Sequence, residues 1–266
     1  PYEGEEVNDT LLFGTDIDIA DIFFLVDTTY SMSSTIEDVS ESLSTVIVPA
    51  IQSTIEHAWV GVGRFEDFPV GGYGEPSGVR RGVISVPGLS DGDVPFFLHS
   101  VVRDPDTDMH EIQLAVDRLL EVGNGRDQPE SHLEALYQTA TGEGLDGYIP
   151  PQNCPDVPDE PRPSIGYPCF RPDALPIVVV ISDAEIHNGI WVVGGRPSTV
   201  NQYGSDVPDM GRTSAATMTA LNDIGARTIF FSPSPNSWAV IDQYNYVAEE
   251  TGTVNPAGEP LVYMST

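Results

Sequence analysis

Two patterns alternate along the chain. In one, short unbroken apolar runs occur; in the other, apolar residues recur every three or four positions. Asp21-Ile22-Phe23-Phe24-Leu25-Val26-Asp27 is a run of the first kind, as expected of a strand buried on both faces. Residues 59–65 give a second strand, and 175–182 (LPIVVVIS) give the strongest strand signal of all. Residues 227–232 add another, and 80–86 suit an edge strand. Between them, Ile36, Val39, Leu43, Ile47, Ile51 and Ile55 mark a long amphipathic helix that Pro49 should kink. Met109, Ile112, Val116 and Leu119 predict a second helix, and Leu133, Leu136 and Ala140 a third. Residues 213–224 and a last segment through Trp238, Ile241, Tyr244 and Ala248 predict two more. Trp191 and Trp238 are read as core residues.

Strands alternating with helices predict an α/β, Rossmann-like fold: a mainly parallel central sheet with helices on both faces. The tract at about 142–172 is too long for a plain connection and reads as an insertion. Residues 1–20 read as an N-terminal arm and 21–266 as one domain. The first residue is Pro1 rather than Met, so the chain is expected to be a piece of something longer.

Composition narrows the choice of partners. The chain has 266 residues and a formal net charge of −30, from 41 Asp and Glu against 11 bases, all Arg. That field repels a phosphate backbone, which argues against nucleic acid, and it disfavours anionic membrane surfaces. No apolar run approaches the ~20 residues of a membrane span. Divalent cations are the natural counter-ions. Cys154 and Cys169 lie in the Pro-rich insertion; they are either free thiols or a disulfide. The acidity and loop content favour the disulfide and an oxidising compartment.

In a parallel α/β sheet, ligands bind beyond the carboxyl ends of the strands. Four segments deliver oxygen ligands there: Asp27, Thr29 and Ser31 after the first strand; Asp67 after the second; Asp127 and Glu130 before a helix; Asp183 after the central strand. Carboxylates and hydroxyls without a Cys or several His suit a hard cation such as Mg²⁺, Mn²⁺ or Ca²⁺. His187 is read as a histidine supporting the loop rather than as a ligand.

These segments resemble, in order, those of a von Willebrand factor A domain, and most of all the I-like domain of integrin β subunits. Asp27-Thr28-Thr29-Tyr30-Ser31-Met32 resembles the Asp-x-Ser-x-Ser signature of the metal-ion-dependent adhesion site (MIDAS), with Thr for the middle Ser. Gly61-Val62-Gly63-Arg64-Phe65-Glu66-Asp67-Phe68-Pro69-Val70, Arg126-Asp127-Gln128-Pro129-Glu130 and Ile181-Ser182-Asp183-Ala184-Glu185-Ile186-His187, the last with the family's Asp-Ala-x-x-His spacing, resemble the three that follow. The resemblance implies that Thr29, Ser31 and Glu130 bind the adhesion-site ion directly, with Asp27 and Asp183 direct or through water. It implies a neighbouring Ca²⁺ site from Asp67, Glu130 and the carbonyls of Asp127 and Pro129. The family's Asn ligand there aligns with Gly125. The third integrin site needs two acids where this chain has Ser34 and Thr35, so it is not expected.

The expected function is therefore an extracellular or cell-surface adhesion module. It would bind a protein ligand that presents an Asp or Glu to a Mg²⁺, Mn²⁺ or Ca²⁺ ion, as part of a larger chain or assembly and without inserting into a membrane. The alternative is a structural subunit of a surface or filament assembly whose ion only stabilises it. An enzyme is not expected. Gly211-Arg212-Thr213-Ser214 faintly resembles the serine motif of subtilisin-like proteases, but no His stands in the matching context.

Overall fold

A computed structural model describes residues 17–76, 92–154, 163–207, 212–233 and 238–265. Strand β1 (Ile19–Asp27) pairs in parallel with β2 (His57–Phe65) on one side and β4 (Leu175–Ile181) on the other. Outside β2 lies β3 (Phe97–Arg103), antiparallel. Two-stranded β5 (Ile190–Val193) and β6 (Arg196–Thr199) stand apart from the sheet. Beyond β4 come β7 (Arg227–Ser232) and the short β8 (Val262–Met264), both parallel. The sheet order is β3-β2-β1-β4-β7-β8. The chain leaves β1 toward β2 and returns on the other side as β4, so the order reverses at the carboxyl ends of β1 and β4.

The apolar runs work as double-sided strands. Ile22, Phe24 and Val26 of β1 face a layer with Ile36, Leu43, Val48, Ile112 and Val116. Phe23 and Leu25 face the other layer, with Leu133, Leu136, Leu221, Val240 and Tyr244. The helices of the first layer are α1 (Ser33–Ser42), α2 (Val48–Gln52) and α3 (Pro105–Asp117); those of the second are α4 (His132–Thr141), α5 (Ser214–Asp223) and α6 (Trp238–Glu250). Asp104 caps α3, its carboxylate accepting from Asp106 N at 3.0 Å with Pro105 next. Gly142 ends α4 at φ +68. Among the described residues, no helix is long and apolar enough to cross a membrane.

Several expectations need correction. The long helix runs from α1 through a π turn, Leu43–Ile47, into α2, so its irregularity lies in the turn before Pro49, and it ends at Gln52, short of Ile55. Pro49 has no N–H for the carbonyl one turn back, and the widened turn absorbs that loss. The edge strand expected at 80–86 lies outside the described residues; the observed edge strand is β3. Its burial is irregular because it covers one edge only, so it carries no unbroken apolar run. Trp238 is 82% exposed at the start of α6. Trp191 stands on the β5–β6 hairpin with its Nε1 donating to Asp242. Neither is a core residue, because neither lies on a strand of the main sheet or on the inner face of a helix. β1 begins at Ile19, inside the segment expected to be an arm.

The insertion is anchored to the main sheet. Phe170 packs edge-on against Phe23 at 6.4 Å. The Arg171 guanidinium pairs with buried Asp21 at 2.6 Å and lies over Trp59 at 4.2 Å. Pro168 O accepts from Val102 N of β3 at 2.9 Å. Cys154 and Cys169, 15 positions apart, form a disulfide. A loop of this length contributes about 3 kcal/mol by the chain-entropy model. Reduction, or Cys154→Ser, should lower the thermal midpoint by roughly 6–12 °C, read by calorimetry. An unchanged midpoint would mean that the non-covalent contacts of Phe170, Arg171 and Pro168 suffice to hold the insertion.

Candidate metal centre

The end of β1 turns sharply because Thr28 N donates to Phe65 O and Met32 N to Thr29 O, closing a 3₁₀ turn over Tyr30–Met32. This turn places two hydroxyls beside the end of β4. Ser31 Oγ donates to Asp183 Oδ1 at 3.0 Å, and Thr29 Oγ1 lies 3.3 Å from Ser31 Oγ. Asp27 is fully buried. Its Oδ1 accepts from Thr29 N and Oγ1, and its Oδ2 from Ser182 Oγ at 2.7 Å. With its proton on Asp27, the Thr29 hydroxyl keeps its lone pairs for another partner.

Glu130 enters from before α4. Glu130 N donates to Glu185 O and Glu130 O accepts from His187 N, which stitches this segment to the loop after β4. Its side chain is 3% exposed, and Oε2 has no hydrogen-bond partner. Gly125, at φ +62, brings its backbone against this carboxylate; an added Cβ would lie 3.2 Å from Oε1. The structure therefore puts a close backbone approach where the family resemblance would need an Asn ligand.

Thr29, Ser31, Glu130 and Asp183 line one cleft of about 500 Å³, together with Tyr30, Asn124, Asp127 and Glu185. Asp27 lies beneath Thr29. Asp67 and Pro129 are not among the residues lining this cleft. Asp67 is buried next to it, accepting from Phe68 N and from Tyr203 O–H at 2.5 Å. Asp67 meets Asp127 around His187, the histidine expected to support this loop. His187 Nε2 lies 3.0 Å from Asp67 Oδ2 and 3.2 Å from Asp127 Oδ2. Its Nδ1 is 2.7 Å from Asn201 O, so that nitrogen is the donor of the pair. The ring stacks on Tyr203 at 4.0 Å and meets Tyr73 edge-on. Asp67, Asp127 and His187 each offer a ligand atom, all within 4.8 Å of one another: a group able to hold a metal ion. Its one advance signal was the Asp-Ala-x-x-His spacing after β4.

Electrostatics follow from this crowding. Burial lifts Asp27 to about 7 against the hydrogen bonds from Thr29 and Ser182, and the Asp183 charge adds to the rise. Burial raises Glu130 well above the usual carboxylate range, and the charges of Asp27, Asp67, Asp93 and Asp127 raise it further. For His187, burial disfavours the charged ring, but Asp127 and Asp67 outweigh it and lift the group to about 9. Burial raises Asp67 as well, against His187 and Tyr203. Two carboxylates face the His187 Nε2, so the positive charge of this cluster sits on its ring.

The donor set of the cleft fits a hard cation. Thr29 Oγ1, Ser31 Oγ and Asp183 Oδ1 follow one another at 3.3 and 3.0 Å. Adjacent oxygens around an octahedral ion with ~2.1 Å bonds lie about 3 Å apart. The orphaned Glu130 Oε2 supplies a further acceptor.

No family model matches the chain, and no curated protein matches it. Among solved structures, the open conformation of the pilus adhesin SpaC from Lactobacillus rhamnosus GG is similar at 11% identity with a TM-score of 0.49. The match covers 95% of this chain and 28% of that one. A likeness of this degree carries no functional argument.

A cation that binds only the folded state stabilises it by about 2.7 kcal/mol at a hundredfold excess over Kd. Saturating Mn²⁺ should therefore raise the melting temperature by roughly 5–10 °C over the chelated protein. Asp183→Ala should remove most of that difference. Identical melting curves in Mn²⁺ and in excess chelator would count against the site.

Proposed function

We propose that the chain is an extracellular, cation-dependent protein-binding module of the von Willebrand A type, in which residues 21–266 act as one domain. The observation that carries this reading is the convergence of Thr29, Ser31, Glu130 and Asp183 on one open cleft, with Asp27 behind Thr29. The residues that would hold the ion are two neutral hydroxyls and the carboxylates of Glu130 and Asp183. Such a set leaves a Mg²⁺, Mn²⁺ or Ca²⁺ ion electron-poor, and the bound ion would supply a Lewis-acidic position for a partner's Asp or Glu. Tyr30, 53% exposed beside the cleft, offers an aromatic contact around that carboxylate.

The reading favours a binder over an enzyme. Ser31, the exposed hydroxyl of the cleft, donates to Asp183, itself a proposed ligand. Its hydroxyl is thereby committed to the ion site. The disulfide supports an oxidising compartment, hence a surface or extracellular setting. The net charge of −30 requires that the partner's face around its acidic residue be basic or neutral.

Selection from a displayed peptide library tests this reading. In Mg²⁺, the recovered peptides should carry an Asp or Glu. In chelator, or against Glu130→Ala, recovery should fall to background while the circular dichroism spectrum stays native. Glu130 contributes a ligand rather than core packing, so the fold should persist. Peptides that bind equally well with chelator and to Glu130→Ala would refute the adhesion reading and leave the structural-subunit alternative.

A further inference from the structure

One buried serine hydroxyl joins the three segments that carry the cleft's oxygens. Ser182 precedes Asp183, and both are carried by the loop that follows β4. Its Oγ lies 2.7 Å from Asp27 Oδ2, 3.0 Å from His132 Nε2 and 3.1 Å from the backbone N of Ala184. Ser182 and His132 are both fully buried. His132 opens α4, two residues after Glu130, and its ring rests against Phe65 at 4.6 Å. Tyr244 of α6 closes the far side, its O–H donating to Ala184 O at 2.7 Å.

Ser182 has one hydroxyl proton, and Asp27 Oδ2 takes it at the shorter distance. His132 Nε2 meets both Ser182 Oγ and Tyr244 O–H, at 3.0 and 3.3 Å, and its Nδ1 lies 3.2 Å from Glu130 O, so the direction of the His132–Ser182 bond follows the imidazole tautomer. In either direction the contacts link His132, Ser182 and Asp27. Asp27 uses its other oxygen to hold the Thr29 N–H and O–H. The orientation of the Thr29 lone pairs toward the cleft is thus set two residues away from it, inside the core.

We propose that His132 and Ser182 are positioning residues that set the cation affinity of the cleft without touching the ion. The proposal rests on the metal-binding reading above and goes beyond it. Hydrophobic packing alone would be served by any apolar side chain beside Phe65. A polar ring at this spot instead bonds Ser182 and the Glu130 carbonyl, and so ties the Asp27 carboxylate to the segment that carries Glu130. Outer hydrogen-bond partners of metal ligands commonly account for 10–100-fold in affinity.

The experiment is calorimetric titration with Mn²⁺ alone on the full chain, paired with melting in chelator. Ser182→Ala, nearly isosteric, and His132→Leu should each weaken Mn²⁺ binding by roughly 10–100-fold. His132→Gln places an amide group, able to donate or accept, near the position of the imidazole Nε2 and should recover affinity to within about threefold of wild type. In chelator, both His132 variants should melt below wild type by similar amounts, since both lose the ring. A purely structural role would lower melting without separating Leu from Gln in affinity. Wild-type affinity in both Ser182→Ala and His132→Leu would overturn this proposal while leaving the metal site standing. No Mn²⁺ binding by the wild type would overturn both.

Discussion

Like charge buried at the carboxyl edge of the sheet is the constraint around which the rest of this structure is organised. Asp27, Asp67 and Glu130 are all less than 4% exposed, and Asp127 and Asp183 stand beside them. Isolated carboxylates are costly to bury. The fold limits the cost in three ways. It saturates Asp27 with hydrogen-bond donors from Thr29 and Ser182. It places Glu130 just ahead of α4, where the helix dipole favours negative charge. It sets His187 between Asp67 and Asp127. The outer cleft, with its unpartnered Glu130 Oε2, is the part of this charge that an added cation would neutralise.

The cleft and the His187 cluster are two layers of one arrangement. Asp127 belongs to both: it lines the cleft and bonds His187. Beneath it, Tyr203 and Tyr73 enclose the imidazole, and Phe68 packs edge-on against Tyr203. Aromatic rings exclude water and lower the local dielectric, which strengthens the His187 pairs. A rigid floor under the Asp127–Glu130 segment follows. On the other side, Ser182 ties the ends of β1 and β4 to α4. The oxygens of the cleft are thus held by core contacts rather than by mobile surface loops, the condition for a preorganised site.

Much of this architecture was legible in the residues. β1 and β4 read as strands because both faces are covered, and double coverage demands unbroken apolar runs. The helices α3 to α6 read from their periodicity because each buries one stripe. Elements that bury little gave no signal. β3 covers one edge, β8 has three residues, and β5–β6 leaves the sheet altogether. The π turn was hidden for another reason: a proline announces a break, but not where the backbone will take up the strain.

For the site, the sequence by itself determined the chemistry: acids and hydroxyls, not thiols, at the ends of parallel strands. It could do so because residue type and strand ends are local properties. Tertiary structure alone decided which of those groups share a cleft. Asp67, read with Glu130 in a neighbouring site, joins Asp127 and His187 in a group able to hold a metal ion, while Asp27 lies behind Thr29, bonded to it and to Ser182. His132, which no motif singled out, and His187, read as a support for its loop, each bridge segments 50 or more positions apart. Hydrogen-bond partners at such separations are set by the packing of two helical layers on a twisted sheet, and no local pattern of residues encodes that packing.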